Sequence, residues 1–524
     1  MKTIYSASPS ANTMLFFLWV AVLVIGVWTR FHDIDKSGIW IDEAFSLLLS
    51  AKSPAEIFFH TTRDVHPPLY YWMLHGWIHL FGESVHAARV LSAMFGVLSV
   101  VLAMWLIRLL SSRRAMLLGG LLIALLPIAV RYSQEIRMYA FLATLMLSAT
   151  IALVYWLENS RSRRPLILYC LLMVGGLYTH YFTVVCAFAH WLYLALLLRT
   201  QREERRYLMR PAWWVANIVI SIMFIPWLPS FIKQLRYSNF NWIPPLKTED
   251  VVGVFWRFLS YSDGAEYSSV FFYGLPVILF MISVAIVVKG EGQRDKLLLL
   301  VTFAWVPIAL VAVVSLFKPL LIDRYLLFAA MAYPMTVAVL LDMLLVRCKV
   351  AFVILLGMMF FLEGRGLSVV YAKEPSNLYE FNQFNVLANT VNSSYQPGDG
   401  VLVLDFFIYL PMVYYFKSDT LPMYYAPRNS DGTSGRPDGY QTSTLSSEKA
   451  DQIYVEKLGA LTTASGRVWL IDNVRGGSLT HKLPDNWRLL QTFTVGEAKA
   501  ELINIRPADA PLQTPLEPRT ISTP

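Results

Sequence analysis

Two adjacent acidic residues, Asp42 and Glu43, follow the first apolar run of the chain in the segment GIWIDEAFS at 38–46. Their neighbours are apolar or aromatic, and a carboxylate in such a partly dry setting needs either a partner or a task. A carboxylate held in this way can act as the general base for an incoming hydroxyl group. The same position also suits a helix cap, with Asp42 capping the helix that begins at Glu43, and one residue could do both.

A second cluster of polar residues lies in the short link RYSQEIRMY at 131–139. Glu135 and Tyr139 are spaced i, i+4 and share one helix face, while Arg131 and Arg137 flank the carboxylate. An acid between two arginines most often forms an ion pair. The functional alternative is a site for an anionic group, in which the carboxylate orients the arginines or a metal ion.

Three further candidates are single residues in short motifs: His66 in DVHPPLYY, His180 in YTHYF, and Arg324 in DRYLL. A lone histidine is more often a hydrogen-bonded structural residue than a ligand or a catalyst. Arg324 suits bidentate binding of a phosphate group, but basic residues near helix ends also extend routinely to a membrane interface. None of these three signals is strong when taken alone.

The composition predicts the membrane that these residues border. The chain has 524 residues, of which 56% are hydrophobic and 15% charged, and its mean hydropathy of +0.49 is too high for a soluble protein of this size. Apolar runs of roughly 20 residues, each enough to span a bilayer, recur from Met14 to Val370. They predict about eleven transmembrane helices in a membrane domain at 1–371, followed by a more polar domain at 372–524.

The predicted spans are 14–29, 90–110, 115–131, 138–157, 165–180, 182–198, 212–232, 270–288, 297–316, 324–346 and 350–370. Clusters of Lys and Arg mark alternate links, and the positive-inside rule assigns these links to the cytoplasm. The N-terminus is then cytoplasmic, whereas the long first loop at 31–86 and the C-terminal domain are extracytoplasmic. Two acidic sites, two histidines and three arginines therefore converge on the outer face.

Other classes of chemistry find little support. The net charge of +8 comes from the clusters between apolar runs, and no basic face with interleaved aromatic residues predicts nucleic-acid binding. No CxxC, HExxH or Gly-rich phosphate loop is present, and the three cysteines lie in or beside membrane helices. In the C-terminal region we predict strands at 401–404, 468–472, 487–495 and 500–505, with helices at 408–416 and 448–461. They form a small α/β domain.

Six segments together resemble glycosyltransferase family 39, the polyprenyl-phosphate-sugar transferases of the GT-C fold. That family includes the protein O-mannosyltransferases and the lipid A aminoarabinose transferases. The matching segments are WIDEAFS at 40–46, DVHPPLYY at 64–71, YSQEIRMYA at 132–140, YTHYF at 178–182, WIPP at 242–245 and DRYLL at 323–327. The resemblance covers about the first 370 residues and implies a polytopic GT-C membrane domain.

The resemblance also implies an activity: inverting transfer of one sugar from a polyprenyl-phosphate donor to a hydroxyl group. On this view Asp42 matches the family's base on the acceptor hydroxyl, Glu43 completes the acidic pair, and Glu135 matches the second acidic position. Arg137 and Arg324 are similar in place to residues that face the donor phosphate. Nearby arginines would stabilise the charge left on that phosphate.

The resemblance also implies roles for His66 and His180, which match recurring positions for donor or acceptor positioning. Tyr139 and Arg131, from the cluster at 131–139, are further candidates for substrate binding. No cofactor is certain, although a divalent cation could share the phosphate charge. Glu135 stands where lipid A-type members more often carry an aspartate, so their metal geometry does not carry over.

The expected partners are a polyprenyl-phosphate sugar, membrane lipids, and a lipid A-like glycolipid, glycan or protein acceptor. The expected location is a bacterial inner membrane with the C-terminal domain in the periplasm, where it packs on the membrane domain and helps to recognise the acceptor. Two alternatives remain: a flippase or transporter for a lipid-linked sugar, and an O-antigen ligase or polymerase. A transporter would carry its charged groups on broken helices at mid-membrane.

Overall fold

The computed structural model describes residues 9–199, 207–237, 243–290, 292–372, 383–417, 420–461, 463, 465–474, 483–484, 486–505 and 519–522. Trp242, from one of the motif segments, lies outside these ranges. The helices are α1 Pro9–Phe31, α2 Ile41–Ser50, α3 Pro54–Thr61, α4 Leu69–Phe81, α5 Val85–Leu110, α6 Arg113–Leu125, α7 Pro127–Ser133, α8 Tyr139–Glu158, α9 Arg164–Leu177, α10 Thr183–Leu198, α11 Pro211–Phe224, α12 Leu228–Tyr237, α13 Thr248–Ser260, α14 Ser269–Lys289, α15 Arg294–Ser315, α16 Leu327–Ala330, α17 Ala332–Arg347, α18 Lys349–Ala372, α19 Phe384–Ser394, α20 Phe406–Tyr415 and α21 Ala450–Ile453.

The predicted polytopic fold is confirmed. Within the described ranges, eight helical segments are long and apolar enough to cross a bilayer, or nine if the bent pair α6–α7 is one span. The other two predicted spans correspond to the shorter apolar helices α9 and α10. Large apolar side chains such as Phe17, Leu171 and Phe361 face outward, as expected where lipid replaces water.

The helical segment formed by α6 and α7 is broken between the two helices. Pro127 has no N–H to donate, and the two helices meet at an angle of 58°. The carbonyls left near the break are bonded by α1: Arg30 donates to Ile123 O at 3.1 Å and to Ala124 O at 3.1 Å. In return, Gln134 Nε2 donates to His32 O at 2.8 Å, beyond the end of α1. The short link after α7 is therefore tied to the outer end of α1.

Close packing fixes the same link from the other side. Gly96 in α5 lies against the end of α7, because an added Cβ would come within 2.0 Å of the Ser133 hydroxyl oxygen. Only the absence of a side chain allows this approach. α5 and α7 thereby hold the link at 134–138 in place.

The C-terminal region forms a seven-stranded mixed sheet in the order β3-β2-β1-β4-β6-β5-β7. The strands are β1 Gly400–Val403, β2 Met423–Tyr425, β3 Tyr454–Val455, β4 Arg467–Asn473, β5 Trp487–Val495, β6 Ala498–Ile505 and β7 Arg519–Ser522. β1 pairs in parallel with β2 and β4, and β6 runs antiparallel between β4 and β5. The predicted strands all exist.

One predicted helix of this region, 448–461, is wrong. The segment instead contains a short helical turn, α21, the two-residue strand β3 and a further turn at Leu458–Ala460. β3 pairs with β2, and Ala426 N–H donates to Val455 O at 2.9 Å. Pairing with a neighbouring strand therefore overrides the local helical pattern.

Candidate active site

The two acidic residues of the first loop point to different environments. The predicted capping role of Asp42 is wrong, because α2 begins at Ile41 and its N-cap residue is Trp40 in an extended conformation. Among the described residues, no side chain caps this helix. Asp42 is the second residue of α2, and its carboxylate is 21% exposed to a cavity of about 290 Å³. Arg137 Nη2 lies 3.9 Å from Asp42 Oδ2, a separation beyond hydrogen-bond range.

Glu43 turns away from the cavity and binds Arg89 of α5. Arg89 Nε donates to Glu43 Oε1 at 2.9 Å and Arg89 Nη2 to Oε2 at 2.8 Å, and both side chains are only 2% exposed. The Ile136 N–H donates to the same carboxylate at 3.1 Å. Glu43 therefore joins α2, α5 and the link at 134–138, and it does not line the cavity.

This buried pair gives a stability prediction. We expect Glu43→Gln to lower the free energy of unfolding by about 3–5 kcal/mol, because it leaves the Arg89 charge buried without its counterion. The melting temperature of the purified protein in detergent measures the loss. Asp35→Asn is the matched control, since Asp35 pairs with His86 on the same loop but is 55% exposed, where ion pairs contribute little. Equal melting temperatures for the two variants would contradict the structural role of Glu43.

Glu135 lies in the link between α7 and α8, fully buried. The Trp40 Nε1–H donates to Glu135 Oε1 at 3.1 Å, and Arg131 Nη1 lies 3.4 Å from Oε2. Burial raises the pKa of Glu135 to about 7, helped by the negative charge of Glu43, although Arg131 and Arg324 act in the opposite direction. The carboxyl group is thus partly protonated near neutral pH.

Arg137, two residues further along, reaches from the link into the cavity. Its Nη1 lies 3.3 Å from the Ser46 hydroxyl and 3.3 Å from the Tyr71 hydroxyl, and donates to Asp42 O at 3.4 Å. These contacts tie α2 and α4 together around one guanidinium group. A cation held among hydroxyl groups rather than against a bidentate carboxylate retains charge for an anionic ligand.

Two histidines, His66 and His180, and the carboxylate of Asp64 lie close to Arg137. His66 Nδ1 lies 3.4 Å from both Asp64 Oδ2 and Arg137 Nη2, so the ring donates to the first in one tautomer or accepts from the second in the other. Burial lowers the pKa of His66, and it lowers that of His180 further, where Arg137 and Arg324 add to the effect. The two rings, 5.3 Å apart, are therefore neutral at pH 7.

Arg324 enters the cavity from the turn before α16. Its guanidinium group lies 5.4 Å above the ring of Trp40 and 5.7 Å from that of Tyr325, so two aromatic rings hold it. The Tyr139 hydroxyl and Arg324 Nε, both buried, have no hydrogen-bond partner within the described part of the chain. Such orphaned donors beside a cavity suit a ligand rich in acceptor oxygens.

The sequence-predicted residues thus divide into two groups. Asp42, His66, Arg137 and Arg324 line the cavity, whereas Glu43, Glu135, Arg131, Tyr139 and His180 surround it. The lining also contains residues that we did not single out: Trp40, Asp64 and Tyr325 from the motifs, and Phe406, Phe407, Gln441 and Thr442 from the C-terminal region. Trp40, Asp64 and Tyr325 each lie within two residues of a predicted site residue. No motif in the sequence pointed to the four residues of the C-terminal region.

The donor set does not fit a divalent cation. Among the residues that the structure describes, no three His, Cys, Asp or Glu side chains lie close enough to hold a metal ion. The buried carboxylates of Glu43 and Glu135 instead face Arg89 and Arg131. Positive charge in this cavity comes from arginines.

Comparison with known proteins agrees with this architecture. The sequence model of the family described as dolichyl-phosphate-mannose-protein mannosyltransferase matches residues 65–229. Comparison with curated protein sequences finds no match. Among solved structures, ArnT from Cupriavidus metallidurans in the apo state has a TM-score of 0.60 at 13% identity, covering 96% of this chain and 100% of that chain.

Two further structures were determined with lipid phosphates bound. ArnT from Cupriavidus metallidurans bound to undecaprenyl phosphate has a TM-score of 0.58 at 13% identity, over 96% of this chain and 100% of that one. AglB from Archaeoglobus fulgidus, an oligosaccharyltransferase in complex with an inhibitory peptide and a dolichol-phosphate, has a TM-score of 0.54 at 11% identity, over 89% of this chain and 70% of that one. At such identities these likenesses establish the fold.

The chain shares the multi-pass membrane fold of the GT-C class with these solved structures. Within that class, the match over residues 65–229 confirms the predicted resemblance to glycosyltransferase family 39.

Proposed function

We propose that this protein transfers one sugar from a polyprenyl-phosphate donor to an acceptor hydroxyl group on the extracytoplasmic face, with inversion at the anomeric carbon. The observation that carries the proposal is that Asp42 faces the same cavity as Arg137 and Arg324. A base for the acceptor and cations for the donor phosphate are the two requirements of such a displacement.

In the proposed reaction, the Asp42 carboxylate takes the proton of the acceptor hydroxyl. The acceptor oxygen attacks the anomeric carbon as the bond from that carbon to the phosphate oxygen breaks. Polyprenyl phosphate leaves with one more negative charge than it carried as a diester. Arg137 and Arg324 are assigned to that developing charge, which they meet in a partly dry cavity where the interaction is strong.

The other residues are assigned supporting roles. Glu43, through Arg89, holds α2 so that Asp42 faces the cavity, and we class it as a positioning residue. Glu135, which pairs with Arg131, binds the Trp40 side chain and so positions the ring that Arg324 contacts. His66 and His180 present neutral rings beside Tyr325, and Tyr139 offers a buried hydroxyl to the donor.

We further propose that residues 1–371 form the transferase domain and 372–524 a periplasmic domain. The N-terminus is then cytoplasmic, and the protein lies in a bacterial inner membrane. The site would open to the periplasm, where polyprenyl-linked sugars are available without soluble nucleotide donors. Accessibility of single engineered cysteines in loop 31–86 to a membrane-impermeant thiol reagent tests this orientation.

The proposal is tested by incubating the purified protein in detergent with a panel of undecaprenyl-phosphate sugars and a bacterial membrane lipid extract. The expected result is a sugar-modified product of inverted anomeric configuration and an equal amount of undecaprenyl phosphate. A flippase would instead move the donor across a vesicle bilayer without consuming it. The arginines and carboxylates that surround the cavity come from loops and helix ends, which favours the enzyme over the transporter.

The raised pKa of Glu135 gives a pH prediction. An anionic donor phosphate beside Arg324 further disfavours the charged form of Glu135, so donor binding takes up a proton. Donor affinity should therefore rise, by about threefold to tenfold, as the pH falls from 8 to 6 through the pKa near 7. A phosphodiester donor does not titrate in this range. Affinity in Glu135→Gln should stay at its low-pH value throughout; a pH dependence retained by that variant would contradict the assignment.

A further inference from the structure

The C-terminal sheet presents its carboxyl edge to the active-site cavity. β1 ends at Val403, and the chain then turns through Asp405 into α20, so that Phe406 and Phe407 line the cavity. The Asp405 side chain accepts from Phe407 N–H at 2.8 Å and fixes this turn. In parallel sheets, ligands bind at the carboxyl ends of the strands, and β1 lies between two parallel partners.

A second C-terminal segment completes this wall. Gln441 and Thr442 line the cavity, and Gln441 adopts a backbone φ of 55°, a conformation unusual for a residue with a side chain. The Gln441 N–H donates to Arg63 O at 2.8 Å, directly before Asp64. Strained backbone of this kind persists where the surroundings hold it and is concentrated at functional sites. We name Phe406, Phe407, Gln441 and Thr442 the outer wall.

The outer wall is fixed to the first loop of the membrane domain by several contacts. The His60 ring nitrogen Nδ1 lies 3.0 Å from the Thr444 hydroxyl, and Lys52 Nζ lies 3.6 Å from Glu448 Oε2. On the α20 side, Ile39 N–H donates to the Tyr415 hydroxyl at 2.9 Å. The wall is therefore held at a set position in the cavity that Asp42, Arg137 and Arg324 also line.

We propose that the outer wall binds a sugar ring of the acceptor, so that the hydroxyl group deprotonated by Asp42 belongs to a saccharide. This inference rests on the proposed function. The arginine side is assigned to the donor phosphate, which leaves the acceptor to the outer wall. Phe407 is 43% exposed at the cavity, and its ring matches the apolar C–H face of a pyranose. Thr442 supplies a hydroxyl group that can bond those of the sugar.

The sheet itself argues against an extended peptide as the acceptor. Peptides that add to a sheet need a strand with an unpaired edge. β1, the strand that leads to the cavity, is hydrogen-bonded to β2 on one side and to β4 on the other. Recognition at this edge therefore depends on side chains, which suits a saccharide with one apolar face and several hydroxyls.

The test is the kinetics of Phe407→Ala with a glycolipid acceptor purified from bacterial membranes and an undecaprenyl-phosphate sugar donor. We expect the acceptor KM to rise about tenfold, as for loss of an aromatic contact, while the donor KM stays unchanged. Phe407→Tyr should restore the acceptor KM. Leu490→Ala is the matched control, because Leu490 is an exposed apolar residue of the same sheet that does not line the cavity. An unchanged acceptor KM in Phe407→Ala would overturn the inference.

Wild type and Phe407→Ala are each titrated by calorimetry with the glycolipid, with its lipid-free oligosaccharide and with a Ser/Thr-rich peptide. If Phe407→Ala weakens oligosaccharide binding, the inference is supported, even if the wild-type protein transfers no sugar. In that case the proposed function is wrong, but the saccharide site is not. Binding of the peptide in place of the oligosaccharide overturns the saccharide assignment. Binding of the free oligosaccharide as tight as that of the glycolipid identifies a glycan, and much weaker binding identifies a glycolipid.

Discussion

Asp42→Asn is expected to lower kcat for sugar transfer by about 10²–10⁴-fold, the range that a general base contributes. Asparagine has nearly the same size and keeps the position in α2, so the cavity should retain its shape. The affinity for the undecaprenyl-phosphate donor should change little, because the nearest cation, Arg137, is 3.9 Å away and keeps its contacts with Ser46 and Tyr71. Single-turnover transfer and donor binding are measured on the same preparation.

Asp35→Asn provides the control for this experiment, since Asp35 is an exposed carboxylate of the same loop. Equal transfer by Asp42→Asn and wild type would remove Asp42 from its role and direct attention to Asp64, which also lines the cavity. If neither protein transfers sugar but both move the donor across a vesicle bilayer, the transporter alternative replaces the enzyme.

The membrane-domain part of the site could be predicted because its residues lie in short motifs at the ends of apolar runs. Asp42, Arg137 and Arg324 are predicted in this way, and all three line one cavity. The different environments of Asp42 and Glu43 could not be predicted, because they depend on Arg89, which is 46 residues from Glu43 and near the start of the largely apolar helix α5. Adjacent helical residues point about 100° apart, so only the tertiary partner decides which one faces the cavity.

Hydropathy likewise predicted the spans but not their irregularities. The predicted span at 115–131 did not include the 58° break before Pro127, where Arg30 and Thr29 of α1 bond carbonyls near the end of α6. No feature of the sequence predicted that the outer-wall residues line the cavity. Phe406 and Phe407 belong to an apolar run that resembles a buried helix, and their place at the cavity follows from how the C-terminal sheet contacts the first loop.

Arg324→Ala is expected to reduce kcat/KM by about 10²–10³-fold, the usual effect of removing one group that stabilises transition-state charge. Arg324→Lys should recover only part of the activity, since an ammonium group keeps the charge but neither the planar fork nor the stacking on Trp40. Arg365→Ala is the control, because Arg365 pairs with Glu266 and does not line the cavity.

Product inhibition separates this role of Arg324 from simple donor binding. The released polyprenyl phosphate carries one more negative charge than the donor, so an arginine that acts on the leaving group should contribute more to product affinity than to donor affinity. We therefore expect Arg324→Ala to raise the inhibition constant for undecaprenyl phosphate by a larger factor than the donor KM. Equal factors would mean that Arg324 binds ground state and transition state alike, which lowers KM without accelerating the reaction. Charge stabilisation would then fall to Arg137, whose guanidinium group contacts the Asp42 backbone and the His66 ring in the same cavity.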